Sequence, residues 1–165
     1  MSLRKTKPKN RPPLSNPLGS TPPLNPSSLH LTSFHPLKPL YAVATTAIGQ
    51  NVVRIFDLRP GVAEPRWEVT LPQGEEVTCL AWTGGGDNKK RKRRQSVGEE
   101  GKLVCGLKSG RINVIESALG EIVRKMDGHA ASVNACFTDG DNNFWSCGGD
   151  GKVKCWDPTT GNCLA

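Results

Sequence analysis

The sequence predicts an all-β fold built from a repeated antiparallel sheet. Residues 144–165 (FWSCGGDGKVKCWDPTTGNCLA) show the unit most plainly: strand, tight turn, strand, turn, and the beginning of another strand. Short runs of the same texture, separated by turn residues, recur from residue 29 onward. A strand-closing apolar–acidic pair also repeats, at Phe56-Asp57, Ile115-Glu116 and Trp156-Asp157, with the acidic residues 59 and 41 positions apart. Removing an insertion of about 17 residues from the first interval leaves a period near the ~40–45 residues of a four-stranded repeat unit.

Taken in order, residues 1–28 hold seven of the 13 prolines, five basic residues, no acidic residue and no aromatic one. Such a segment buries too little apolar surface to offset chain entropy, so a disordered basic Pro-rich tail is expected. Its basic residues offer contacts to an acidic partner or RNA. Strands are expected at residues 31–34, 40–45, 52–56 and 66–71, with His35-Pro36 as a break and residues 48–51 as a turn. The second unit has strands at 77–82 (VTCLAW), 103–107, 112–115 and 120–126, interrupted by a polar, Gly-rich, basic insertion at about 83–101 that is expected to be disordered. The third has strands at 133–137, 144–147 and 153–156, where Gly148-Gly149-Asp150-Gly151 supplies turn chemistry, and residues 162–164 begin a further strand.

The period, the Trp156-Asp157 pair and the upstream Gly128-His129 resemble a WD-repeat propeller blade. The resemblance implies an all-β β-propeller of WD-repeat type over residues 29–165, with about three blades present and the last unfinished. Propellers close with ~4–8 blades. The expectation is therefore a piece of a longer protein, with completion of the ring by another chain as the other option.

Net charge is +7, but it is unevenly placed. The first 28 residues and Lys89, Lys90, Arg91, Lys92, Arg93 and Arg94 hold eleven of the 22 basic residues, leaving eleven basic against 15 acidic elsewhere, a body charge of −4. The six cysteines contain no CxxC pair and lie in strand-like runs, so buried, reduced thiols are expected. The N-terminal segment has no apolar core of a signal peptide, and no apolar run approaches the ~18 residues of a membrane span. A soluble intracellular protein without membrane contact is the expectation.

Within a WD blade, a His, a Ser or Thr, an Asp and a Trp form a hydrogen-bonded network. The resemblance places these on His129, Ser146, Asp150 and Trp156. A carboxylate in a turn orients the imidazole, which meets the hydroxyl and then the indole N–H. The same set has the composition of a hydrolase triad, but Ser146 lies inside a strand without a nucleophile elbow, so a structural role is expected and no enzyme. The second unit offers Glu75, Cys105, Ser109 and Ile115 at the corresponding places, and the first has Gln50 and Phe56, so both are expected to rely on apolar packing. His30 and His35 stand at a strand edge without a ligand-spaced partner, and Gly84-Gly85-Gly86 lies in the insertion rather than between strand and helix. Neither a metal nor a cofactor, nor any small-molecule substrate, is expected.

Six consecutive cations repel one another and belong in a solvated loop. Their functional reading is a nuclear-import signal or a contact to nucleic-acid phosphates, without base stacking because no aromatic residue interleaves. Ser96 follows Arg93-Arg94-Gln95, an arrangement basophilic kinases accept, and a phosphate there would offset part of the charge. VTCLAW, the insertion with KKRKRR, and GKLVCGLKSGRINVIES together resemble the N-terminal propeller of WD-repeat subunits of the small-subunit processome, in the subgroup linked to pre-ribosomal RNA transcription. The resemblance implies a non-enzymatic scaffold of ribosome biogenesis in the nucleus and nucleolus. Its partners would be other WD-repeat and helical subunits of a large ribonucleoprotein complex, an import receptor, and pre-rRNA through the basic segments. Fold alone does not name a partner. A WD adaptor or substrate receptor in signalling, ubiquitin transfer or chromatin complexes is the alternative.

Overall fold

The computed structural model describes residues 29–47, 50–62, 64–84, 101–138 and 143–165. Their strands form three antiparallel meanders in which each strand pairs with the next in sequence. The first sheet contains β1 (Leu29–Phe34), β2 (Leu40–Ala47), β3 (Gln50–Asp57) and β4 (Trp67–Leu71). The second contains β5 (Val77–Thr83), β6 (Lys102–Leu107), β7 (Arg111–Glu116) and β8 (Glu121–Asp127), and the third β9 (Val133–Thr138), β10 (Phe144–Gly148) and β11 (Val153–Trp156). These are the predicted strands in the predicted order. The bounds differ by one or two residues at many ends: Gln50 and Asn51, expected in a turn, belong to β3, Thr83 belongs to β5, Arg66 and Gly120 precede β4 and β8, and the expected strand at 162–164 is a single bridge from Cys163 to Trp156.

The repeat seen in sequence is a repeat of register. Tyr41 faces Phe56, Leu103 faces Ile115, and Phe144 faces Trp156, so the residue before each acidic slot meets the same point of its neighbour. Two apolar clusters lie between the sheets. Leu40, Ala42, Ala44, Val53 and Ile55 of the first sheet pack on Trp82, Leu103, Cys105, Leu107 and Ile115 of the second. The opposite face of the second sheet, with Ala81, Val104, Ile112, Val114 and Met126, packs on Val133, Phe144 and Trp156 of the third. That is why β6 and β7 read as nearly continuous apolar runs: their sheet is covered on both faces. β9, covered on one face, shows mixed burial instead.

Polar contacts fix how neighbouring sheets lean on each other. The Trp82 indole N–H donates to the Ser33 carbonyl at 3.1 Å, and the Trp67 indole N–H donates to the Ser117 carbonyl at 2.9 Å. Trp67 lies flat on Gly120, whose φ is +71° and where a Cβ would sit 2.6 Å from the indole ring. The next interface repeats the device, with Arg124 Nε donating to the Thr159 carbonyl at 3.0 Å and Met126 lying against Gly161. Thr78 Oγ1 donates across the second interface to the Val133 carbonyl.

Candidate functional site

The third sheet carries the densest polar arrangement among the described residues. β10 presents Ser146 between β9 and β11, the β10–β11 turn presents Asp150, and β11 ends in Trp156. His129, from the connection before β9, places Nδ1 3.0 Å from Asp150 Oδ1 and Nε2 2.8 Å from Ser146 Oγ. The Trp156 indole N–H donates to the same Ser146 oxygen at 2.8 Å. One proton assignment satisfies every atom: Nδ1–H donates to the carboxylate, Ser146 O–H donates to Nε2, and Ser146 oxygen accepts from the indole. Asp150 also accepts the backbone N–H groups of Ala130 and Lys152, each at 3.1 Å. Burial pushes the Asp150 carboxyl up, but those two N–H groups and the His129 ring outweigh it and hold the group at about 2.

The arrangement ties the turn before β9 to the turn after β10 and anchors the indole. Ser146 has no exposed surface, and its hydroxyl is engaged on both sides by His129 and Trp156. A substrate carbonyl therefore has no route to its oxygen, and these residues act as a structural lock rather than a nucleophilic triad. Gly148 is a member the sequence reading passed over. A Cβ there would come within 2.5 Å of His129 Nδ1 and 2.7 Å of the Asp150 carboxylate, so the imidazole lies where only glycine leaves room.

The acidic residue of the closing pair has its own local task. Asp157 accepts from the Thr159 N–H at 2.7 Å and the Thr160 hydroxyl at 2.9 Å, which winds the turn toward Cys163. Asp57 does the same after β3, accepting the Arg59 N–H at 3.0 Å and the Arg59 Nε at 2.9 Å. The hydrogen-bonded guanidinium of Arg59 pulls the Asp57 carboxyl down to about 2.

The second sheet departs from the expectation of purely apolar packing. Glu75 accepts the Ser109 hydroxyl at 2.7 Å and Arg111 Nη1 at 3.2 Å, so its carboxylate spans the two turns that His129 and Asp150 join in the third sheet. Its main-chain carbonyl accepts from Asn51 Nδ2 of β3. The residues Glu75, Ser109 and Arg111 stand in the sequence, but the link uses residue types other than the His and Asp of the third unit. Cys105 and Ile115 are fully buried at the places of Ser146 and Trp156, and Phe56 is half-buried. The side chain of Gln50 lies outside the described residues.

His35 is not at an open strand edge as expected. It is buried against Trp82, with ring centroids 5.1 Å apart, and its Nδ1 accepts the N–H groups of Leu37 and Lys38 at 3.1 and 3.0 Å. The side chain of His30 lies outside the described residues. All six cysteines are free thiols, but only Cys105 and Cys155 are buried; Cys79, Cys136 and Cys147 are half-buried and Cys163 is exposed. The expectation of uniformly buried thiols fails at Cys136 and Cys147 because β9 and β10 belong to a sheet covered on one side only, at Cys163 in the exposed segment after β11, and at Cys79, whose thiol lies half-buried between β5 and β9. Among the described residues no group of three or more His, Cys, Asp or Glu could hold a metal ion, and no helix is long and apolar enough to cross a membrane.

Residues 1–28, with the basic tail, lie outside the described residues. So do Lys89, Lys90, Arg91, Lys92, Arg93, Arg94 and Ser96. The described ends of the insertion meet at Gly101, where φ is +88° and a Cβ would stand 2.8 Å from the carbonyls of Thr83 and Gly84 and from the His35 ring. Gly84 and Gly101, the described residues on either side of the insertion, thus lie side by side between β5 and β6.

Two apolar sheet faces remain open. Phe34, Tyr41 and Phe56 form a cross-strand ladder on the first sheet, with centroids 4.8 and 6.0 Å apart, and Phe34 is 66% exposed. On the third sheet Phe137 stacks on Trp145 at 6.3 Å beside Val153, and these flanking residues are 53% and 60% exposed.

Three sheets, each a four-strand or three-strand meander leaning on the next in one register, define a partial β-propeller. The family WD domain, G-beta repeat, matches residues 120–157, which run from the turn before β8 through Asp157. Within the chain, this stretch is similar to one WD repeat. No curated protein matches it. Among solved structures, a chain of "Crystal Structure of Mitotic Checkpoint Complex" is similar at 19% identity and a TM-score of 0.55, covering 77% of this chain and 34% of that one. The "computationally designed Ika4 protein" is similar at 20% identity and a TM-score of 0.59, covering 84% of this chain and 72% of the other. This chain thus spans about a third of the checkpoint-complex chain it matches. At these identities the likeness is one of fold.

Proposed function

We propose that this protein is a non-enzymatic scaffold of ribosome biogenesis that acts in small-subunit processome assembly and early pre-rRNA transcription and processing, in the nucleus and nucleolus. The observation that carries the reading is the second blade: VTCLAW, an insertion with KKRKRR, and GKLVCGLKSGRINVIES, the combination that resembles the processome subgroup. Two features of the fold support it. Gly84 and Gly101, the described residues on either side of the insertion that carries Lys89–Arg94, lie side by side between β5 and β6, and a run of six cations suits an import receptor or RNA phosphates. The polar cluster of the third blade is an internal lock, so the surfaces left for work are faces and loops that bind other subunits.

The test is affinity purification of the full-length endogenous protein, with mass spectrometry and RNA sequencing of the eluate. Processome subunits together with pre-ribosomal RNA are expected. An eluate lacking both, and containing a ubiquitin-ligase or chromatin complex, would overturn the reading in favour of an adaptor. Replacing Lys89–Arg94 with alanines is expected to shift the protein to the cytoplasm. Unchanged nuclear accumulation would remove the import role.

A further inference from the structure

Two thiols meet across the interface between the second and third sheets. Cys79 on β5 and Cys136 on β9 place their Sγ atoms 3.5 Å apart, the separation of two sulfurs in contact. The approach is built into the backbone. Thr78, beside Cys79, hydrogen-bonds the Val133 carbonyl on β9 and the Gly106 carbonyl on β6, which holds β5 and β9 together at this level. Gly106 makes the room: a Cβ there would lie 2.4 Å from Cys79 Sγ, so any larger residue would drive the thiol out of place. Both cysteines are half-buried, so the pair is packed yet reachable by a small reagent.

We propose that Cys79 and Cys136 are a reversible oxidation site, a dithiol that hydrogen peroxide converts into a disulfide joining the second and third sheets. The Cys79 thiolate attacks one peroxide oxygen, the O–O bond breaks, and a sulfenic acid forms on Cys79 while the departing hydroxide takes up a proton and leaves as water. The Cys136 sulfur then attacks the Cys79 sulfur. The S–S bond forms, and the sulfenic oxygen leaves as a second water with the Cys136 proton. The two thiols lose two electrons in total and the peroxide is reduced to two waters. The roles follow from the surroundings. The hydrogen bond from Cys136 holds the Cys79 thiol below its ordinary range, whereas that same bond and burial push Cys136 up. Burial also pushes up Cys105 on β6, which keeps it protonated and out of the exchange.

The full-length protein is treated with hydrogen peroxide, alkylated, digested without reductant and analysed by mass spectrometry. The expected product is a Cys79–Cys136 linked peptide pair that has lost two hydrogen atoms and is restored by dithiothreitol. The oxidised protein is expected to melt several degrees above the reduced one, because the link closes a long loop. Cys163→Ser should retain the link, and Cys136→Ser should leave a sulfenic acid on Cys79 that dimedone captures. Finding Cys79 and Cys136 both alkylated after a treatment that oxidises the exposed Cys163 would overturn the proposal. So would a disulfide from either cysteine to a different partner.

Discussion

Ser146→Ala tests the lock of the third blade at its most connected atom. The hydroxyl takes one hydrogen bond from Trp156 and makes another with His129 Nε2, both at 2.8 Å, in a place without exposed surface. Alanine keeps the strand and removes one oxygen, leaving the imidazole nitrogen and the indole N–H buried without partners. A buried polar atom stripped of its partner costs about 1–3 kcal/mol, so the substitution should destabilise the protein by roughly 2–5 kcal/mol. Urea melts followed by tryptophan fluorescence would read this as a lower midpoint at unchanged slope. Trp156→Phe supplies the second arm of a double-mutant cycle, because phenylalanine has no N–H to strand. Ser146→Ala should then cost less in the Trp156→Phe background, with a coupling in the range of about 0.5–3 kcal/mol found for residues in contact. A Ser146→Ala midpoint within the spread of surface substitutions, about 0.5 kcal/mol, would refute the reasoning. Strict additivity in the cycle would refute the indole contact.

Gly148→Ala should reproduce much of the loss without touching any polar group, because its Cβ would displace the His129 ring from Asp150. The check is the His129 imidazole nitrogen resonances, which should lose their hydrogen-bonded shifts; unchanged resonances would mean the loop absorbs a methyl group freely. Acid is a second probe. Asp57 and Asp150 both sit at about 2 in the folded protein, below the ordinary 3.8. A lowered folded value contributes stability above the unfolded pKa and loses it as pH falls toward the folded one. Urea midpoints should therefore drop between about pH 4 and pH 2, and Asp150→Asn should flatten part of that slope. A wild-type midpoint constant over this window would contradict both assignments.

The strands were legible because each is short, bounded by turn residues and closed by the same pair of residue types. Phe56-Asp57, Ile115-Glu116 and Trp156-Asp157 all occupy one register, so their spacing in sequence was already a statement about the sheet. The His129, Ser146, Asp150 and Trp156 set could be assembled from the same alignment of repeats. What stayed hidden depends on pairs of sheets. Nothing in the local sequence of Gly120 says that Trp67, more than 50 residues earlier, lies on it. The Glu75–Ser109–Arg111 link was invisible for a different reason: it performs the joining of turns with other residue types. The meeting of Cys79 and Cys136 likewise requires the distance between β5 and β9, which no strand periodicity encodes.

The second sheet explains the open faces of the other two. Phe34, Tyr41 and Phe56 hold the register places that Trp82, Leu103 and Ile115 hold in the second sheet, where all three are buried against the first. Phe137 and Trp145 hold the places of Ala81 and Val104, which are buried against the third. These positions are apolar in each repeat except at Ser33 and Thr138, and whether the apolar side chains meet water depends on whether a sheet lies beside them. Exposure of these aromatics is thus a property of position in the array and not an irregularity of composition. The polar locks work the other way. Asp150, Asp57 and Glu75 direct their carboxylates at turns of their own or the adjoining strand, which shapes each blade from within. The apolar surface these sheets leave exposed among the described residues therefore lies on their outer faces, while Ser146, His129 and Asp150 are engaged with one another inside the third blade.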